Sequence, residues 1–415
     1  MLRQLAVLAA LASSVAAQPI KTEIVEAGGK YQLLRGGEPY FVNGAGGQSH
    51  LDVLVEAGGN SIRTWHIDDA ERLLDEAHAL GITVTMGIWL GHERHGFDYS
   101  DPQQVAAQRS MVERAVLDLK DHPALLMWGL GNEVALVGDP RKLFPHIESL
   151  AAMVQELDPN HPVMTVIAGA GEDKIRALAE LCPSIDVVGV NEYGEASHVP
   201  GLLESSGYTG PYLLTEFGPR GWWESPETDW GAQIEETSAE KMASYRRNYE
   251  SAVASQPGRC LGSYVFLWGQ KQEATSTWFG MFLEDGSRTP VVDTMTRLWT
   301  GREPADPAPV VRSIICRIAR REIGPGERFS ASVDVFDPNG DELTVDWVIV
   351  AESTDRRMGG DAEAAPPSFP ELTRNNRLRN ARFRAPSEPG PYRLFVTVKD
   401  PAGNAGTANI PFLVR

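Results

Sequence analysis

The chain is poor in cysteine, carries far less positive than negative charge, and has no long apolar run beyond its first residues. Three cysteines in 415 residues cannot build a disulfide framework. We expect all three to be buried structural thiols. A formal net charge of −18, from 38 basic and 56 acidic residues, would repel phosphate groups. No basic run interleaved with aromatic residues offsets this charge, so nucleic acid is not an expected partner.

Apolar runs after the N-terminus are too short to cross a bilayer, so no membrane span is expected. Residues 1–17 combine an arginine, an apolar stretch and small residues before Gln18, a pattern typical of a cleaved signal peptide. No cysteine stands at the cleavage point, so a lipid anchor is not expected either. The sequence therefore predicts a secreted or periplasmic protein.

Residues 40–301 alternate short apolar runs with segments of helical periodicity, which indicates parallel strands joined by helices. Eight such pairs in about 260 residues predict an α/β fold of the (β/α)8 type, a TIM barrel. The main alternative is a doubly wound open sheet with a glycine-rich phosphate loop. Gly44, Gly46 and Gly47 follow the first strand, but no acidic residue is placed to hold a ribose, so we interpret them as turn glycines. The predicted strands are Phe41–Gly44, Ser61–Trp65, Thr83–Trp89, Leu125–Leu130, Val163–Ile167, Asp186–Val190, Tyr212–Thr215 and Gly262–Trp268.

A proline-rich stretch, Gly301–Ala308, cannot continue either periodicity and predicts a linker. Alternating runs beyond it, separated by the turn sequences DPNGD and DPAGN, predict a small immunoglobulin-like β-sandwich. Within it, Arg356–Asn380 is expected to form one long loop, and the sandwich is assigned a structural role. The predicted division is a signal peptide over 1–17, a barrel over 18–303 and a sandwich over 304–415.

Two glutamates stand where predicted strands end. Glu133 follows the fourth strand in HPALLMWGLGNEV, and Glu216 follows the seventh in PYLLTEFG. The strands of such a barrel deliver their last residues to one face, so we expect the two carboxyl groups to converge. A pair of carboxyl groups about 5–5.5 Å apart, one protonated and one ionised, can break a glycosidic bond with retention of configuration. The alternative, an unpaired carboxylate at the edge of a core, would be costly.

These motifs resemble the catalytic barrel of glycoside hydrolase family 2. The resemblance implies that Glu133 is the acid/base, that Glu216 is the nucleophile and that Asn132 reaches the sugar 2-hydroxyl. NSIRTWH implies Arg63 beneath the nucleophile and His66 near the sugar, and ERHG implies His95 as a sugar contact. VNEY implies that Tyr193 hydrogen-bonds the nucleophile, and FLWG implies that Trp268 forms the floor of the sugar pocket.

The sequence departs from this family in two respects. The β-sandwich modules that family 2 enzymes place before the barrel are absent from this sequence, which has one sandwich after the barrel instead. Met86 and Gly87 replace an acidic pair usual on the third strand, so no catalytic metal and no cofactor are expected. The histidines His66, His92 and His95 lack the carboxylate or cysteine spacing of a metal site.

Several aromatic residues lie near the predicted strand ends, and Trp222 and Trp223 follow the nucleophile in GPRGWWE. Flat aromatic faces stack on the apolar faces of pyranose rings, so a carbohydrate cleft is predicted, with ordinary packing as the alternative. We therefore expect a retaining β-glycoside hydrolase acting on β-linked glucan or a related oligosaccharide. The alternatives are a transglycosylase and a non-catalytic carbohydrate-binding protein. The oligomeric state is left open.

Overall fold

A computed structural model describes residues 18–415, so the predicted signal peptide lies outside the described residues. Three short strands come first and form an antiparallel sheet that the sequence did not predict. They are β1 (Thr22–Ala27), β2 (Lys30–Arg35) and β3 (Glu38–Pro39).

Eight parallel strands then close into a barrel in the order β10-β11-β4-β5-β6-β7-β8-β9, so the predicted fold is confirmed and the open-sheet alternative is wrong. The strands are β4 (Val42–Gly46), β5 (Ser61–Arg63), β6 (Thr83–Ile88), β7 (Leu125–Leu130), β8 (Val163–Ala168), β9 (Val187–Asn191), β10 (Tyr212–Phe217) and β11 (Cys260–Val265). The helices are α1 (Leu51–Glu56), α2 (Ala70–Ala79), α3 (Pro102–Leu119), α4 (Pro140–Leu157), α5 (Glu172–Leu181), α6 (Val199–Ser205), α7 (Ser238–Tyr249) and α8 (Pro290–Thr300). None of them is long and apolar enough to cross a membrane.

The barrel strands read as continuous apolar runs because both of their faces are buried. Every residue of β7 is buried, and so is every residue of β6. Two of the clustered glycines lie inside β4 and not in a turn. A Cβ on Gly44 would come 2.3 Å from the ring of Tyr264, so this glycine makes room for a tyrosine inside the barrel.

The N-terminal sheet covers the end of the barrel at which the strands begin. Leu33 packs into a buried cluster with Leu126 and Met164. The backbone N–H of Thr22 donates to the carbonyl of Asn160, just before β8. The opposite end, where the strands finish, is therefore the end that remains available for a site.

The C-terminal part is a β-sandwich of a four-stranded and a five-stranded sheet, ordered β12-β14-β18-β17 and β13-β20-β19-β15-β16. Its buried core includes Trp347 and Phe412. DPAGN (400–404) joins β19 to β20 as an antiparallel hairpin, as predicted. The strands are β12 (Val310–Cys316), β13 (Glu322–Ile323), β14 (Arg328–Phe336), β15 (Thr344–Ala351), β16 (Ser368–Phe369), β17 (Thr373–Asn375), β18 (Ala381–Arg384), β19 (Gly390–Lys399) and β20 (Ala405–Val414).

The predicted long loop 356–380 contains β16 and β17, so that prediction is wrong in its second half. Phe369 of β16 packs against the sandwich core, and this apolar contact stabilises the strand structure of the segment. All three cysteines are free thiols. Cys182 and Cys260 are buried as expected, but Cys316 at the end of β12 is only partly buried.

The sandwich is attached to the barrel through buried polar contacts. Arg393 of β19 donates to Glu352 and to the carbonyl of Gln233, which precedes α7. Ser238, the first residue of α7, exchanges hydrogen bonds with the backbone of Thr407. The two domains thus share an interface built on α7.

Candidate active site

A cavity of about 970 Å³ opens at the carboxyl ends of the barrel strands. Most of its lining comes from loops that follow these strands, and one part comes from the sandwich. The lining residues are Trp65, His66, Trp89, His95, Asn132, Glu133, Leu136, Ala168, Gly169, Asn191, Glu192, Tyr193, Glu216, Trp222, Trp223, Phe266, Leu267, Lys271, Glu273 and Arg357–Asp361.

Glu216 lies near the end of β10, and its carboxylate accepts three hydrogen bonds from side chains. Arg63 Nη1 donates to Oε1 at 3.0 Å and Trp65 Nε1 donates to the same oxygen at 2.9 Å. The hydroxyl of Tyr193 donates to Oε2 at 2.8 Å. These donors hold the carboxylate in one orientation as an acceptor, as a nucleophile requires. Arg63 and Tyr193 therefore both contact the carboxylate of Glu216.

Glu133 follows β7 in a left-handed conformation, with φ 53° and ψ 31°. A non-glycine residue in this region costs on the order of 1–3 kcal/mol, and such residues cluster at functional sites. Its backbone N–H donates to the carbonyl of Val166 at 3.0 Å, and Asn191 Nδ2 donates to its Oε1 at 2.9 Å. The neighbouring strands thus fix this carboxyl group at the cavity.

A chain of hydrogen bonds connects the two glutamates. Arg63 binds Glu216 with one guanidinium nitrogen, and its Nη2 donates to Asn132 Oδ1 at 2.6 Å. Asn191 Nδ2 also donates to Asn132 Oδ1, at 3.0 Å, and so links Asn132 to Glu133. Asn132, which accepts both bonds through Oδ1, also lines the cavity.

Burial, together with the negative charge of Glu216, raises the pKa of Glu133 to about 7. A carboxyl group with this pKa holds its proton in about half of the molecules at pH 7, and that proton can be given to a leaving oxygen. The site therefore combines a proton donor with an oriented acceptor carboxylate on one cavity, which is the arrangement that acid/base and nucleophilic catalysis at an acetal needs.

The predicted sugar contacts lie around the mouth of the cavity. His66 is exposed and stacks on Trp89 with ring centroids 4.8 Å apart. His95 is also exposed, and Trp222 and Trp223 lie beyond the end of β10. Trp223 exposes 52% of its surface, which leaves its ring available to a ligand.

Trp268 is placed differently from the prediction. It is 1% exposed, its Nε1 donates to the carbonyl of His50, and its ring packs against Phe282. Trp268 is thus a core residue outside the cavity, because β11 ends at Val265 and the chain turns before reaching it. Phe266 and Leu267 line the cavity in its place.

Sequence reasoning did not single out several residues that contact the glutamates or the cavity. Asn191 is the last residue of β9, and its place in VNEY was the available signal. Trp65 hydrogen-bonds Glu216 through its indole nitrogen. Glu192, the residue after Asn191, lines the cavity. Across residues 18–415, no group of three histidine, cysteine, aspartate or glutamate side chains is arranged to hold a metal ion.

Comparisons with known proteins agree with this architecture. Residues 48–221 match the family model for the TIM barrel domain of glycosyl hydrolases family 2. A β-glucuronidase from Paenibacillus borealis is 28% identical over 190 residues, which cover 40% of this chain and 30% of that protein. The mouse β-glucuronidase is 25% identical over 331 residues, covering 72% of this chain and 47% of that protein.

The fold also matches solved structures. The β-glucuronidase of Faecalibacterium prausnitzii aligns with a TM-score of 0.55 at 19% identity, covering 68% of this chain and 52% of that chain. The present chain spans less than half the length of the two curated relatives described above. Its (β/α)8 barrel is similar to the TIM barrel domain of glycosyl hydrolases family 2 and is followed by a β-sandwich.

Proposed function

We propose that the protein is a retaining β-glycoside hydrolase in which Glu133 is the acid/base and Glu216 is the nucleophile. The observation that carries the proposal is the difference between the two carboxyl groups on one cavity. Glu216 accepts hydrogen bonds from Arg63, Trp65 and Tyr193. Glu133 has a pKa raised to about 7 and so can hold a proton close to neutral pH.

In the first step, a carboxylate oxygen of Glu216 forms a bond to the anomeric carbon while the bond from that carbon to the leaving oxygen breaks. The proton of Glu133 moves to the leaving oxygen, which departs as an alcohol. Glu133 is now ionised, and Glu216 is a neutral ester. Loss of the Glu216 charge removes one cause of the raised pKa of Glu133.

In the second step, Glu133 takes a proton from a water molecule whose oxygen attacks the anomeric carbon. The ester bond breaks, and Glu216 leaves as a carboxylate. Two inversions at one carbon give net retention. If a sugar hydroxyl attacks in place of water, the same residues carry out transglycosylation.

We propose that the substrate is a β-linked glucan or a related neutral oligosaccharide. The names of the relatives suggest a β-glucuronide as the second candidate, and a uronate would need a cation to receive its carboxylate. Two cations line the cavity, and each has a carboxylate partner: Lys271 Nζ is 2.9 Å from Glu273, and Arg357 Nε is 2.7 Å from Asp355. The other charged side chains that line the cavity are carboxylates. They would repel the carboxylate of a uronate, which favours a neutral sugar.

A panel of 4-nitrophenyl β-glycosides tests this proposal. The glucoside, galactoside, mannoside, xyloside and glucuronide should be compared with laminarin and mixed-linkage β-glucan, with product identification. We expect turnover of a neutral glycoside and little of the glucuronide. Glucuronide as the preferred substrate would refute the neutral sugar, and products longer than the substrate at high concentration would identify a transglycosylase.

A non-catalytic binding protein predicts a different outcome. If the protein binds a sugar but turns over no member of the panel, and if Glu133→Gln leaves that binding unaltered, a binding protein is favoured over an enzyme. The exposed Glu195→Gln is the matched control for a lost carboxylate, since Glu195 lies in a loop outside the cavity.

We also propose that the protein is exported, on the basis of residues 1–17 alone. N-terminal sequencing of material secreted by an expression host should give Gln18 as the first residue. Retention of Met1 would refute this proposal.

A further inference from the structure

One wall of the cavity comes from the β-sandwich and not from the barrel. We call Arg357–Asp361 the wall loop; it follows β15 and lies against the ends of the barrel strands. Met358 at its tip exposes 57% of its surface. The sandwich therefore presents an apolar side chain to the space in which the substrate would lie.

Asp361 ties the wall loop to the loop that follows β6. Its Oδ2 lies 2.6 Å from Arg94 Nη1 and 2.9 Å from His95 Nε2. Arg94 Nη1 also donates to the carbonyl of Met358 at 3.1 Å. His95, a predicted sugar contact, is thus oriented in part by a carboxylate from the other domain.

A second anchor lies on the loop that follows β11. Lys271 Nζ donates to the carbonyl of Gly360 at 2.6 Å, and the backbone N–H of Ala274 donates to Glu363 at 2.7 Å. In the barrel, β4 and β5 lie between β11 and β6. The wall loop therefore bridges the rim across two strands.

Two consecutive glycines give the wall loop its shape. Gly359 has φ +61° and Gly360 has φ +74°, a conformation that favours glycine. A Cβ on Gly359 would lie 2.8 Å from Arg94 Nη2 and 3.0 Å from Leu136. The close approach of the loop to the barrel is therefore specified by its own sequence.

A second exposed apolar side chain, Trp223, lines the same cavity. Trp223 follows β10, which lies four strands from β6 in the eight-stranded barrel and therefore opposite it. The cavity of about 970 Å³ is at the upper end of the roughly 300–1,000 Å³ typical of ligand sites. It has room for more of a substrate than the one sugar that reacts.

We propose that the wall loop determines specificity, with Met358 in contact with the part of the substrate beyond the reacting sugar and Asp361 as a positioning residue for the loop and for His95. This inference rests on the proposed function, and it gives the sandwich a role in substrate recognition where sequence reasoning assigned a structural one. The chemical class it implies is a glycoside with at least one further sugar.

The test compares Met358→Ala and Asp361→Ala with Asp334→Ala, a control in which the lost carboxylate is exposed on β14 outside the cavity. Each variant is assayed on the 4-nitrophenyl glycoside and on the β-linked tetrasaccharide of the sugar that the panel identifies. For glucose these are cellotetraose and laminaritetraose. Thermal melting of all variants accompanies the kinetics.

We expect both variants to raise KM for the tetrasaccharide on the order of tenfold, because one lost apolar contact has an effect of that size. For Met358→Ala the loss on the tetrasaccharide should appear in KM more than in kcat. Since Met358 is exposed, Met358→Ala should have the same melting temperature as the Asp334→Ala control. An altered KM can then be assigned to substrate recognition and not to folding.

The possible failures are distinguishable. If the unmodified protein is active and both variants have the same KM and kcat as Asp334→Ala on both substrates, this inference alone is overturned. The same holds if the unmodified protein hydrolyses the aryl glycoside but no oligosaccharide. A parent that turns over no glycoside of the panel would overturn the proposed function and this inference with it.

Discussion

The guanidinium of Arg63 lies 3.0 Å from the carboxylate of Glu216, and the two residues are 2% and 5% exposed. Its second terminal nitrogen binds Asn132, beside Glu133. One planar side chain, fixed at the end of β5, therefore orients the predicted nucleophile and the neighbour of the predicted acid together.

Replacing Arg63 should damage the site in a way that depends on the replacement. Arg63→Lys retains the charge but not the two-sided fork, so we expect kcat/KM to fall on the order of 10²–10³-fold with the fold intact. Arg63→Met leaves a buried carboxylate without its cation and should lower the free energy of unfolding by about 3–5 kcal/mol.

Denaturant unfolding and steady-state kinetics check both outcomes. Arg72→Met, which breaks an exposed pair with Glu76, is the control and should change stability by no more than about 1 kcal/mol. An Arg63→Lys enzyme with unaltered kinetics would show that the fork is dispensable.

Activity should fall as the pH rises through the pKa of Glu133, which burial and the Glu216 charge raise to about 7. The sign follows from the role, since the first step requires Glu133 with its proton and ionisation removes that form. In Glu133→Gln this alkaline limb of the kcat/KM profile should disappear. Turnover of substrates with poor leaving groups should fall by about 10²–10⁴-fold. An alkaline limb that persists unchanged in Glu133→Gln would assign it to another group.

Tyr193→Phe should weaken catalysis while leaving the protein folded. The variant loses only the hydroxyl that donates to Glu216 Oε2 at 2.8 Å. We expect kcat to fall on the order of 10-fold to 100-fold, as for other lost hydrogen bonds at a reacting carboxylate. Tyr40→Phe is the matched control, because Tyr40 bonds Thr83 at the end of the barrel where the strands begin. Equal kinetics for the two variants would contradict the role of Tyr193.

Trp268 and Trp223 should respond to mutation in opposite ways. Trp268 is enclosed in the core, so Trp268→Ala should cost about 3–5 kcal/mol of stability. Trp223 is half exposed at the cavity mouth, so Trp223→Ala should raise KM with little change in melting temperature. A raised KM from a stable Trp268 variant would restore the original prediction for that residue.

The fold and the positions of the two glutamates could be predicted because they depend on local patterns. Parallel strands buried on both faces must be apolar throughout, and their ends must face one side of the barrel. Glu133 follows the end of β7 and Glu216 lies near the end of β10, so their presence on one cavity follows from strand counting. The last predicted strand of the barrel, by contrast, was extended to Trp268, whereas β11 ends three residues earlier at Val265. Because of this error, the prediction placed a core tryptophan in the sugar pocket.

The wall loop could not be predicted because its position depends on contacts between domains. Asp361 lies 266 residues from His95 in the sequence, and nothing in the charged, glycine-containing stretch around it indicates the end of a barrel. The antiparallel sheet that covers the other end of the barrel was missed for a similar reason, since β1 and β2 are short and only their packing shows what they cover.

The central claim is that Glu216 forms a covalent bond to the sugar, and trapping this intermediate tests it most directly. A 2-deoxy-2-fluoro β-glycoside with a good leaving group, made for the sugar that the panel identifies, should inactivate the enzyme with one equivalent bound. Peptide mass spectrometry should then place the fluorosugar on Glu216, and Glu216→Ala should lack activity that azide restores with an inverted product. A label on any other residue, or an unaltered Glu216→Ala enzyme, would contradict the account.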